Sequence, residues 1–115
     1  MALGLHIQIE EEKEKNIIRL EGRIDAMSSP QLEKEITKLL EKGRDVLLVD
    51  FSRVDYLSSA GMRLLLSITK KLKAKQGKCL FFSFNEEVLE IVKMAGFEKI
   101  LNIYPNEKAA LAACE

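Results

Sequence analysis

Histidine occurs once in this 115-residue chain, at His6, and cysteine twice, at Cys79 and Cys114. A metal centre built on imidazoles, or a Ser-His-Asp triad, would be short of ligands, so neither a metal nor a catalytic residue is expected. The cysteines lack C-x-x-C spacing. Cys79 stands in an apolar, strand-like run and Cys114 next to the C-terminus, and both read as reduced structural thiols. His6 lies in an alternating segment and reads as a solvent-facing strand residue.

Net charge is missing too. Eighteen basic residues balance eighteen acidic ones, which leaves no long-range field to attract nucleic acid or an anionic membrane. No apolar run approaches the roughly 20 residues of a membrane span, and "MALGLHIQIEEEKEK" lacks the basic start and long apolar middle of a secretory signal. The expected location is the cytoplasm, without direct membrane insertion. There are no repeats and no Pro/Gly/Ser linker, so residues 1–115 read as one domain. The glycine pattern and lysine of a P-loop are absent, as is a G-x-S-x-G elbow, so no cofactor is expected and the chain does not read as an enzyme.

What is present is a 47% apolar composition with regular local punctuation. Leu5, Ile7 and Ile9 alternate as in a half-buried strand, and residues 16–21 form its hairpin partner, ending at Gly22. In "SSPQLEKEITKLLEKG", Ser29 can cap a helix with Pro30 at its first position, and Ser28 with Gln31 resembles a capping box. Leu32, Ile36, Leu39 and Leu40 make one buried stripe. "DVLLVDF", residues 45–51, reads as a central strand, followed by a turn-like "SRVDYL".

From Ser59 to Lys75 the period is helical, with Met62, Leu65, Ile68 and Leu72 inward and lysines crowding the last turns, where they complement the helix dipole. A strand at 78–84, a helix at 85–96 capped by Asn85, a strand at 99–104 and a short helix at 106–114 complete the chain. The order ββαβαβαβα predicts an α/β fold with a mixed, mostly parallel sheet of about five strands and about four helices. In such sheets functional surface gathers at the carboxyl ends of the parallel strands.

Ser58 and Ser59 fall at such an end. One serine suffices as an N-cap. A second hydroxyl in the first helical turn is poorer helix chemistry than Ala or Glu, and it is well placed as a phosphoryl acceptor, because the positive end of the helix stabilises a phosphate there. Arg63, four residues after Ser59, leans back toward it.

The segments "LEGRIDAMSSPQLEKEI", "DVLLVDFS" and "VDYLSSAGMRLLL", with a G-x-hydrophobic-D at Gly22 to Asp25, resemble the STAS domain family in this order and over essentially the whole chain. Its stand-alone bacterial members are anti-sigma factor antagonists. The resemblance implies an antagonist that binds an anti-sigma factor serine kinase, releases a sigma factor, is switched off by phosphorylation and is restored by a serine phosphatase.

Aligning the family's D-S-[ST/A]-G-L-G on Gly61 implies Ser59 as the phosphoacceptor, with Ser58 as runner-up where relatives have Asp and Arg63 where they have a second Gly. It also implies a partner-binding set of Asp25, Ser58, Ala60, Gly61, Met62 and Arg63, with Asp25 at the acidic position that faces the kinase in relatives. A rival implication is a non-phosphorylated subunit of an ABC-type lipid-transport complex or another signalling assembly.

Overall fold

The computed structural model describes residues 4–12 and 14–114. Strands β1 (Leu5–Glu11) and β2 (Asn16–Ile24) form the opening hairpin, followed by α1 (Ser29–Glu41), β3 (Val46–Leu57), α2 (Ser59–Ala74), β4 (Lys78–Phe82), α3 (Glu86–Met94), β5 (Asn102–Tyr104) and α4 (Glu107–Ala113). The five strands lie in sequence order in one sheet; β1 pairs antiparallel to β2, and the remaining neighbours are parallel. This is the mixed, mostly parallel α/β sheet that the sequence predicts.

The two sheet faces are covered unequally. Ile18, Leu20, Leu47, Val49, Phe51 and Phe81 meet Leu32, Ile36 and Leu39 of α1, Met62, Leu65 and Leu72 of α2, and Val88 and Val92 of α3 in one main core. On the opposite face Ile17, Leu48, Leu80 and Phe82 form a smaller cluster beneath Ala110 of α4. Beside α4 on this face, Arg19 ties three elements together. Its guanidinium reaches Glu10 of β1 at 2.7 Å, Asp50 of β3 at 2.9 Å and Glu107 of α4 at 3.0 Å. These charge-assisted bonds raise the Arg19 pKa above its ordinary value. Burial alone would raise the Asp50 pKa, but the Ser52 N–H and Arg19 outweigh it and hold the carboxyl below its ordinary range.

The most consequential departure from the sequence reading is β3. The segment "SRVDYL" is strand rather than turn, and β3 runs to Leu57 instead of Phe51. Its partner β2 continues past Gly22 to Ile24, pairing Arg23 with Tyr56 and Ile24 with Leu57. Two register shifts, each adding a residue on the β3 side, lie between Arg19 and Glu21 and between Gly22 and Arg23. They bring Phe51, Val54 and Leu57 to the same buried face at intervals of three, which erases the period of two by which a strand is recognised. Gly22 permits the bend: its φ is +116°, and a Cβ there would collide with the Gly4 carbonyl.

The later strands are shorter than expected. β4 stops at Phe82, before Ser83 at φ +62°, and β5 begins only at Asn102. Asn85 and Asn106 cap α3 and α4, their side chains accepting from Val88 N–H at 2.8 Å and Ala109 N–H at 2.9 Å.

The start of α1 also differs. Ser28 is the N-cap residue but has a helical backbone, φ −94° and ψ −20°, and its side chain makes no cap bond. The Gln31 side chain donates to the Leu5 carbonyl at 3.1 Å, so the expected capping box does not form. The Ser28 and Ser29 hydroxyls are engaged in the β2–α1 turn instead.

Candidate docking edge and phosphoacceptor

β2 and β3 end side by side, and α1 and α2 start from that same edge of the sheet. The junction is stitched by the Ser58 N–H, which donates to the Ile24 carbonyl at 2.8 Å. Ser58 is extended, φ −83° and ψ 171°, which is the geometry of a capping residue, and its Oγ accepts from Gly61 N–H at 3.1 Å. Ser59 follows as the first residue of α2. It is exposed, and its hydroxyl makes no hydrogen bond among the described residues. The first N–H groups of a helix lack intrahelical partners, and its dipole is positive at this end, so an anion carried on Ser59 is stabilised where it stands.

The expected partner-binding set divides by burial. Ser58 and Ala60 are half-buried and Arg63 is exposed, whereas Gly61 and Met62 face inward. A Cβ on Gly61 would meet the Ile24 Cγ2 and Leu57 Cδ1 atoms at 2.8 Å and the Ile24 carbonyl at 2.9 Å. The glycine is therefore required by the interior, where the first turn of α2 rests on the ends of β2 and β3. Met62 joins the main core.

Asp25 is oriented toward its own loop. Its Oδ1 accepts from the Met27 and Ser28 N–H groups at 3.0 Å each, and its Oδ2 lies 3.7 Å from Arg23 Nε. The Ser28 N–H bond is the main reason its pKa lies below the ordinary value. The Ser28 hydroxyl donates to the Arg23 carbonyl at 2.7 Å and accepts from Asp25 N–H at 3.0 Å, and the Ser29 hydroxyl donates to the Asp25 carbonyl at 2.7 Å. This closed network displays Met27, whose side chain is 89% exposed.

Beside it, Arg23 stacks its guanidinium 4.4 Å from the centroid of Tyr56. Met27, Tyr56 and Arg23 were not singled out by the sequence reading. The available signal was Met27 itself, an apolar residue between turn residues with no periodic reason to be there.

His6 is exposed on β1, two strands away from β3. Among the described residues no group of three or more His, Cys, Asp or Glu side chains is arranged to hold a metal. Cys79 and Cys114 are free thiols, and burial raises the Cys79 pKa well above its ordinary value. Among the described residues no helix is long and apolar enough to cross a membrane.

The fold is a mixed sheet with helices rising from the carboxyl ends of its parallel strands, and at the start of α2 it leaves the Ser59 hydroxyl accessible. The family model described as "STAS domain" matches residues 6–110, and the chain belongs to the STAS domain family. BtrV of Bordetella bronchiseptica, named as a candidate anti-sigma factor antagonist, is 33% identical over 82% of this chain and 81% of its own length.

Two solved structures share the fold. The crystal structure of an anti-sigma factor antagonist from Mycobacterium paratuberculosis superposes with a TM-score of 0.86 at 24% identity, covering 95% of this chain and 92% of that one. The Bacillus cell fate determinant SpoIIAA, solved in its phosphorylated form, gives 0.73 at 20% identity, covering 96% of this chain and all of that one.

Proposed function

We propose that the protein is an anti-sigma factor antagonist that works by partner switching, itself catalysing nothing and acting in the cytoplasm. In its unmodified form the edge made by Asp25 and the β2–α1 turn, Ser58, Ser59 and the first turns of α2 docks on an anti-sigma factor that is also a serine kinase, and a sigma factor is released. The kinase transfers the γ-phosphoryl group of ATP to Ser59 Oγ. The new O–P ester forms as the bond to ADP breaks, and the hydroxyl proton leaves to the kinase's base. A serine phosphatase hydrolyses the ester to inorganic phosphate and restores the hydroxyl.

The observation that carries this reading is the division of labour in the serine pair. Ser58 is occupied as the cap, and Ser59 is exposed without a hydrogen-bond partner among the described residues. Modification of Ser59 leaves the cap intact and adds a charge of about −1.5 to −2 to the docking edge, enough to lower affinity by a few kcal/mol when the interface must desolvate it. Ser58 is the poorer acceptor, because it is half-buried and its Oγ is already engaged by the Gly61 N–H.

Incubation with the cognate kinase and ATP should add one phosphate by mass spectrometry, and Ser59→Ala should abolish it. Undiminished labelling of Ser59→Ala would remove Ser59 from this role, and loss of labelling in Ser58→Ala alone would transfer it to Ser58. A second reading, a non-phosphorylated subunit of an ABC-type lipid-transport complex, is favoured by Ser58 standing where the family motif carries an acid. Pull-down with the unmodified protein and with Ser59→Asp separates the two. An ATP-binding anti-sigma factor retained only by the former supports the switch, and a permease-ATPase complex retained by both supports the subunit.

A further inference from the structure

Helix α2 has no Asp or Glu in its 16 residues, yet it carries Arg63, Lys70, Lys71 and Lys73, with Lys75 at its C-cap. This segregation occurs in a chain whose acids and bases balance overall. Arg63, Leu66, Ser67, Lys70 and Lys71 recur at intervals of three and four and share one side of the helix, where they line an open groove of about 420 Å³. Lys71 comes within 3.9 Å of Glu33 on α1, with both side chains about half exposed, whereas Arg63 and Lys70 form no ion pair among the described residues. Complementing the helix dipole accounts for Lys71 and Lys73 in the last turn, but not for Arg63 near the N-terminal end, where the dipole disfavours a cation.

We infer that this groove is a docking surface for an acidic face of the anti-sigma kinase, continuous with the Ser59 edge and extending it along α2. The inference rests on the partner-switch reading and adds the partner's chemistry to it. Arg63, which replaces the second glycine of the family motif, joins the two surfaces: it stands one turn from Ser59 and at the head of the groove. A phosphate on Ser59 then acts twice, repelling the partner's carboxylates and drawing the Arg63 guanidinium away from them. Leu66, half-buried among the cations, supplies apolar contact. The strip is one helix wide, flanked by Glu33, on a protein with no net positive charge. That suits a compact acidic protein patch better than a nucleic acid or a lipid sheet, which reward broad basic surface.

The test compares two charge reversals of equal size in the same turns, Lys70→Glu with Lys71→Glu in the groove and Lys73→Glu with Lys75→Glu outside it, both checked for an unchanged thermal melt. Association with the cognate kinase, followed by stopped flow at low and physiological salt, should slow about tenfold for the groove pair, with a flattened salt dependence, and by less than about twofold for the other. Equal slowing by both pairs, or by neither, overturns the groove while Ser59 labelling of the wild type leaves the switch standing.

If the kinase neither binds nor labels the wild type, the switch reading falls and the groove is judged by NMR titration with an amphipathic Glu/Leu helical peptide. Shifts centred on Arg63, Leu66, Ser67, Lys70 and Lys71 support an acidic protein partner. Absent or dispersed shifts overturn it, as does tighter binding of the same residues to duplex DNA or phosphatidylglycerol vesicles.

Discussion

Two Ser-Ser pairs stand at helix starts in this chain, Ser28-Ser29 at α1 and Ser58-Ser59 at α2, on adjacent loops of one sheet edge, and the protein uses them differently. At α1 both hydroxyls bond backbone carbonyls of their own turn. At α2 one hydroxyl caps the helix, and the other is left to solvent. The difference originates in backbone conformation. Ser28 is already helical, so its side chain points back into the loop, whereas the extended Ser58 aims its oxygen at the amide three residues on. The first turn is closed by internal polar bonds and displays an apolar Met27; the second keeps a hydroxyl accessible.

The contrast depends most on Gly61, because the first turn of α2 can lie on β2 and β3 only without a side chain there. Gly61→Val should destabilise the fold by about 3 kcal/mol in urea unfolding, since the added methyls face backbone as well as Ile24 and Leu57 side chains. A loss comparable to an ordinary surface change would show that the turn can lift off the sheet. Next is Ser28→Ala, which should cost about 2 kcal/mol, because Ser28 is 5% exposed and its removal leaves the Arg23 carbonyl and the Asp25 N–H without their partner. Ser58→Ala should cost about 1 kcal/mol, the usual value of one cap bond. Should Ser58→Ala prove the more damaging of the two, the α1 turn would not be the more tightly built.

How much of this was legible follows from the kind of signal each feature leaves. The element order, the inward faces of α1 and α2 and the cap by Asn85 are local, and period and residue type reveal them. The extension of β3 was hidden because its two added residues turn a period of two into a period of three, and only the partner strand explains that shift. The roles of Ser28 and Gln31 were misread because a capping box is a statement about residue types, while the bond requires an extended backbone that the sequence does not specify. Gly61 stands out for its position in a motif, yet its constraint comes from Leu57 at the end of β3 and from Ile24 of β2, which lies far from it in sequence.

Acid should separate the two turns further. The α1 turn is held by the Asp25 carboxylate, whose folded pKa is depressed chiefly by the Ser28 N–H. A depressed pKa means that the contribution is complete above the ordinary carboxylate range and is lost as pH falls through the lowered folded value. Hydrogen-exchange protection at the Met27 and Ser28 amides should therefore fall in acid. Gly61 N–H is bonded to a neutral hydroxyl, so its protection should follow only global stability. Parallel loss at all three amides would mean that the turns open as one unit.

The smallest expected effect is the one that sharpens the comparison most. Ser59→Ala removes a hydroxyl with no hydrogen bond among the described residues and installs a better helix former, so stability should change by less than about 0.5 kcal/mol and in the favourable direction. A serine in a helical turn that contributes nothing to stability is free to serve as the proposed phosphoryl acceptor. A loss of about 1 kcal/mol or more in Ser59→Ala would instead reveal a structural bond in solution. The second serine pair would then resemble the first, and the accessible hydroxyl on which the proposed switch depends would be gone.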